Sequence, residues 1–175
     1  KESSAASDVY KRQGFDLLLE SVRLIQDYLR SLNYKVHIYG DGKEKLQLQE
    51  FINQYDLGDI IQLNESTQDL NSKLAQSKIV VVPSRNEGFG MVILEAMAQD
   101  NIVISFKGNV GPDAIIKNGK NGYLVEYENV SQLAKQIDLT THNYHELEHI
   151  VQGGRETLAL YQPDKVYEDF MAMFK

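Results

Sequence analysis

The sequence predicts an α/β fold, a parallel sheet with helices on both faces. Three features carry that prediction. Apolar runs such as Ile79-Val80-Val81-Val82 and Ile102-Val103-Ile104-Ser105-Phe106 have the unbroken character of strands covered on both sides. Segments with helical spacing separate these runs, and strands alternating with helices give a parallel sheet. Glycine loops follow the strands: Gly40-Asp41-Gly42, Gly88-Phe89-Gly90 and Gly108-Asn109-Val110-Gly111. Open parallel sheets bind their ligands at that carboxyl edge.

Taken in order, Phe15, Leu18, Leu19, Val22, Ile25 and Leu29 recur at helical spacing, so residues 14–32 read as one amphipathic helix. Residues 34–39 form a strand that ends in the first glycine loop. A helix over 43–55, a strand over 59–63 and a short helix over 68–76 follow. The buried strand at 78–82 leads through a glycine turn into a helix at 92–99. After the strand at 102–106, Gly111-Pro112 opens a short helix reaching Ile116, since proline suits the first helical turn. Gly119 and Gly122 turn the chain into a strand at 123–126. Helices over 130–138, 144–161 and 164–174 complete the chain, the second interrupted near Gly153-Gly154.

Composition excludes several classes. The chain has 175 residues, enough for one domain with a full core. A net charge of −7 argues against nucleic acid as a partner. With no cysteine there is no disulfide, thiolate nucleophile or cysteine-bound zinc. No apolar run reaches the roughly 20 residues of a membrane span, and with no basic-then-apolar opening a secretory leader is not expected. A cytoplasmic protein is expected, peripheral to the membrane in a full-length enzyme.

The most informative segment is Pro83-Ser84-Arg85-Asn86-Glu87-Gly88-Phe89-Gly90-Met91-Val92-Ile93-Leu94-Glu95-Ala96-Met97-Ala98. A strand, a glycine turn and a helix point backbone N–H groups and a helix N-terminus at an anion, most often a phosphate. Gly88 and Gly90 lack a Cβ, so the ligand can approach the backbone closely. Glu87 and Glu95 frame the turn, one from the loop and one from the helix. A carboxylate accepts hydrogen bonds from two vicinal hydroxyls, as a ribose offers. Ser84 and Arg85 are read as local turn structure.

This segment resembles the E-x7-E signature of family four of the retaining glycosyltransferases, which have the GT-B fold. The likeness spans residues 14–175. Gly14-Phe15-Asp16-Leu17-Leu18-Leu19-Glu20 is similar to the family's first helix, and Ile38-Tyr39-Gly40-Asp41-Gly42 to its second-strand loop. Gly111 to Val125 resembles the G-x-x-E-(I/V)-(I/V)-x-x-G-x-N-G-x-L-V block, with Asp113-Ala114 where a glutamate is common. These stretches match the C-terminal, Rossmann-like donor-binding half of a two-lobed enzyme.

The resemblance implies a hexosyltransferase that takes a nucleotide diphosphate sugar to a glycan or lipid-linked acceptor. It implies Glu87 as the catalytic residue beside the donor sugar and Glu95 at the ribose hydroxyls. The amides of Gly88, Phe89, Gly90 and Met91 meet sugar and diphosphate, and Gly40 and Gly42 border the crevice. It implies no metal and no cofactor beyond the donor substrate, and an acceptor site on an N-terminal lobe without which this domain is inactive. Residues 1–13 depart from the family pattern and are read as an atypical, non-native segment ahead of a donor domain at 14–175. Asp8 and Gln13 stand where the family has an arginine and a lysine; the nearby cations are Lys11 and Arg12, read either as substitutes, with Arg12 at the donor, or as solvated charges near the terminus. Residues 5–10 are expected to pair as a poor central strand. The alternatives are a non-catalytic nucleotide-sugar-binding module and a two-lobed sugar-nucleotide epimerase.

His145-Glu146-Leu147-Glu148-His149 matches H-E-x-x-H, the helical zinc motif of metallohydrolases, with Glu168 as a conceivable third ligand. A solvated helix face explains the same residues more simply. Gly40-Asp41-Gly42 lacks the third glycine of a dinucleotide fingerprint, since position 45 is Lys45.

Overall fold

A computed structural model of the protein describes residues 13–42 and 44–162. In chain order its elements are α1 (Phe15–Leu24), α2 (Gln26–Ser31), β1 (Val36–Tyr39), α3 (Lys45–Gln54), β2 (Ile61–Asn64), α4 (Leu70–Ala75) and β3 (Ile79–Val82). There follow α5 (Met91–Ala98), β4 (Ile102–Phe106), α6 (Val110–Ile115), β5 (Tyr123–Val125), α7 (Val130–His142), a 3-10 turn (Tyr144–Glu146) and α8 (Glu148–Leu160). Every strand pairing is parallel, as strand–helix alternation requires. β1 runs beside β2, with Val36 opposite Ile61. β4 lies between β3 and β5, with Ile102 opposite Ile79 and Ile104 opposite Tyr123.

Among the described residues these strands form two groups, β1-β2 and β3-β4-β5, and the central strand that the sequence predicts between them falls on residues 5–10, outside the described residues. A groove of about 720 Å³ runs between them, lined by all of β1 and β3 and by Leu18 and Val22 of α1. The strand expected at residues 5–10, the substitute cation Arg12 and the helix expected at 164–174 lie outside the described residues.

Alternation along the strands splits the core into two layers. Ile104 and Phe106 of β4 face Leu18, Leu19 and Val22 of α1 and Leu133 and Ile137 of α7. Val103 of β4 and Val82 of β3 face Ile93, Ala96 and Met97 of α5 and Ile115 of α6. β4 is buried along its whole length, which is why it reads as a continuous apolar run.

Three boundaries differ from the sequence expectation. The predicted first helix breaks at Ile25 (φ −119°, ψ 18°), and α2 takes a new direction that buries Leu29 and carries Arg30 to Asp59. α7 continues past Asp138 to His142, its last turns holding Thr140 and Thr141, whose hydroxyls donate to the carbonyls of Gln136 and Ile137. The helix predicted over 144–161 breaks at Leu147 and not at the glycine pair, which lies inside α8. A Cβ on Gly153 would sit 2.1 Å from the Lys120 carbonyl oxygen, and one on Gly154 would touch Met97 at 3.4 Å. Those glycines let α8 approach its neighbours closely, and the packing outweighs their low helix propensity.

Candidate functional site

The site grows from the end of β3. Val82, Pro83 and Ser84 are buried, and the chain then surfaces through Arg85, Asn86, Glu87, Gly88 and Phe89. Gly90 takes a left-handed conformation (φ 80°, ψ 41°) as the N-cap of α5, a backbone state that glycine enters without strain. No side chain caps α5, and within its first turn the Ile93 amide donates to the Gly90 carbonyl at 2.9 Å. Glu87 is half-buried on the loop, and Glu95 is half-buried within α5 between the buried pairs Ile93-Leu94 and Ala96-Met97. Phe89 and Met91 are exposed at the turn, and Phe89 makes an edge-on contact with Tyr161, ring centroids 6.1 Å apart.

The loop after β4 supports the turn from below. Asn109 is buried; its Nδ2 donates to the Ser84 carbonyl (2.9 Å) and its Oδ1 accepts from the Glu87 amide (3.1 Å). Gly111 lies so close that a Cβ would stand 2.5 Å from the carbonyl carbon and oxygen of Phe89. The Asp113 carboxylate accepts from the Gly108 amide at 2.9 and 3.1 Å and closes the same loop. Sequence reasoning marked this glycine loop by position and missed Asn109, because the signal is one side chain that bridges 25 residues to Ser84.

Arg85 fixes the loop from the side. Its guanidinium donates to both oxygens of Asp16 on α1, each at 2.8 Å, and also binds Glu128 after β5. The hydrogen bonds to Asp16, then to Glu128, hold its pKa above the ordinary arginine value against an opposing effect of burial. The Tyr127 hydroxyl donates to the Arg85 carbonyl at 3.2 Å. The turn is therefore tied to α1, to the β4–α6 loop and to the β5–α7 loop.

Gly40 and Gly42 lie just past β1, at the same carboxyl edge. Between them, Asp41 accepts from the amide (3.1 Å) and hydroxyl of Ser66, which hold its carboxyl below the usual range, the hydroxyl most. The groove between the sheets connects this edge with the turn, since Tyr39 and Glu87 both line it. His145 and His149 do not share a helix: His145 is in the 3-10 turn, and the chain bends at Leu147 before α8. The one-face spacing that a zinc helix needs is not formed. Among the described residues no three or more acidic or histidine side chains are grouped to hold a metal.

Comparison with known proteins decides the family. Residues 5–157 match the sequence profile of "Glycosyl transferases group 1". The chain belongs to that family. Poly(ribitol-phosphate) alpha-N-acetylglucosaminyltransferase of Staphylococcus aureus (strain COL) is 29% identical over 160 residues, 91% of this chain and 32% of that protein. The GtfA subunit of UDP-N-acetylglucosamine–peptide N-acetylglucosaminyltransferase from Streptococcus pneumoniae is 32% identical over 120 residues, 69% of this chain and 23% of that protein.

Among solved structures, TarM superposes with a TM-score of 0.83 at 29% identity, over 94% of this chain and 33% of that one. The C-terminal domain of a group 1 protein (LpcC) from Francisella tularensis gives 0.77 at 26% identity, over 87% of this chain and 82% of that one. The group 1 chain described here thus spans about a third of the curated relatives it matches, and its fold is that of the family's C-terminal half.

Proposed function

We propose that this chain is the donor-binding domain of a retaining, family-four glycosyltransferase that transfers a hexose from a nucleoside diphosphate sugar to a glycan or lipid-linked acceptor. The observation that carries the reading is the Glu87–Gly90 turn, held on three sides and opening into the uncapped N-terminus of α5. In this reading Glu87 stands beside the donor sugar and Glu95 accepts the ribose hydroxyls. The amides of Gly88, Phe89, Gly90 and Met91 take the diphosphate, whose charge suits a helix N-terminus. Gly40 and Gly42 border the crevice, and Arg12 is the substitute cation for the diphosphate. Arg85 serves the loop, since two carboxylates engage its charge. Donor binding needs no metal: the leaving diphosphate is stabilised by oriented N–H dipoles, which act before any reorganisation. No described helix is long and apolar enough to cross a membrane.

Support for the donor class comes from the GtfA subunit of Streptococcus pneumoniae, whose name specifies UDP-N-acetylglucosamine. Calorimetric titration with UDP-N-acetylglucosamine, UDP-glucose, ADP-glucose and GDP-mannose, with and without EDTA, tests the reading. At least one donor binds, and EDTA changes nothing. Glu95→Gln weakens that donor by about 1.5–3 kcal/mol, the range for a hydrogen bond to a charged group. Failure of all four donors, or binding untouched by Glu95→Gln with the fold intact, removes the site. A non-catalytic binding module is the second reading, favoured by Gln13 at the position of the family lysine. Donor binding without donor hydrolysis or transfer in the full-length protein would select it.

A further inference from the structure

Resting on the donor-site reading, we infer that Asn109 is a positioning residue that holds Glu87 and the glycine turn in their donor-ready geometry. The Ser84–Glu87 segment has left β3 and not yet entered α5, so it belongs to no sheet ladder or helix. An amide side chain is suited to fix such a segment, because it donates and accepts at once. Asn109 uses both functions on the two ends of the segment: Nδ2 to the Ser84 carbonyl at 2.9 Å, Oδ1 from the Glu87 amide at 3.1 Å. Asn109 is 6% exposed and Ser84 8%, so water does not readily replace the bond between them. The neighbouring Gly111 amide approaches the Glu87 carbonyl at 3.5 Å, and Gly111 itself abuts Phe89. Both peptide groups of Glu87 therefore face the β4–α6 loop, and its side chain is left to the crevice. The geometry of the acidic residue is set by a side chain 22 positions away.

The experiment compares wild type, Asn109→Ala and Asn109→Asp in this chain. Amide hydrogen exchange in residues 85–90 is expected to accelerate in both variants by about tenfold, the factor for one lost hydrogen bond, while exchange in β4 stays unchanged. Asn109→Asp keeps the side chain's shape, so a space-filling role predicts that it behaves as wild type, whereas an ionised carboxylate repels the Ser84 carbonyl. For whichever donor wild type binds, both variants bind about tenfold more weakly. In a double-mutant cycle, Glu87→Ala added to Asn109→Ala costs less than the sum of the two single changes, because both act through one carboxylate. Unchanged exchange in 85–90, or additive losses, would overturn the inference. If wild type binds no donor, the donor reading falls, and the exchange comparison by itself decides whether Asn109 holds the loop.

Discussion

Gly88 and Gly111 are both in the site region, and a methyl group added to each has opposite consequences. At Gly111 the Cβ would stand 2.5 Å from the Phe89 carbonyl and 2.7 Å from the Gly88 oxygen, all backbone atoms that cannot swing aside. Gly111→Ala must push the turn outward, with a stability loss of about 1–3 kcal/mol, typical of overpacking, and a loss of donor binding. At Gly88 a Cβ meets nothing within 4 Å, and the backbone there is not left-handed. Gly88→Ala is therefore expected to unfold within about 0.5 kcal/mol of wild type. If a diphosphate sugar lies against the Gly88 amide, the same methyl occupies its space and donor affinity falls. Thermal unfolding and calorimetry on both variants check the pair. Undiminished donor binding by Gly88→Ala would place the ligand elsewhere.

Between elements, long-range polar contacts set where helices stop and how they dock. Asp100, in the turn between α5 and β4, has φ 60°, a conformation that aspartate and asparagine enter more readily than most residues. Its carboxylate accepts two hydrogen bonds from Arg155 of α8, at 2.7 and 2.8 Å, which hold its pKa below the ordinary aspartate value. A depressed folded-state pKa contributes stability above the unfolded value near 3.9, and that stability is lost as pH falls through the lower folded value. Asp100→Asn keeps the turn and loses the ion pair. Its melting temperature is expected to lie below wild type at pH 7, with the gap closing as both are taken below about pH 4. A gap that persists in acid would mean that the substitution acts through the turn. Contacts of this kind explain what the sequence could and could not disclose. β3 and β4 were legible because both are nearly continuous apolar runs, and the one polar residue in β4, Ser105, donates its hydroxyl to the Val82 carbonyl. The turn was legible because Gly88 and Gly90 fall between a strand and a helix. The breaks at Ile25 and Leu147 were not, since each lies inside an apolar period that continues across it. Gly153 looked like a helix breaker because its reason, the Lys120 carbonyl, is 33 residues away in sequence. Asn109 stayed hidden for the same cause.

At the scale of the molecule, the two sheets formed by the described residues are joined unequally to the core. β3, β4 and β5 have α1 and α7 on one face and α5 and α6 on the other. The buried side chains of β1 and β2, Ile38 and Ile61, belong only to the layer that contains Leu18, Leu19, Val22 and Phe106. Among the described residues, β1-β2 and α3 are thus attached to the rest through α1 and one apolar layer. Leu19 is fully buried in that layer. Leu19→Ala is expected to cost about 2–5 kcal/mol, the range for truncating a buried leucine. Because a weakly attached unit opens before the whole chain does, the loss should fall unevenly. Amide exchange in residues 36–39 and 61–64 accelerates strongly, and exchange in 102–106 accelerates less. The Glu87–Gly90 turn rests on the three-stranded sheet, so donor binding in Leu19→Ala should weaken less than Asn109→Ala weakens it. Equal acceleration in β1 and β4 would show that the two sheets open as one cooperative unit.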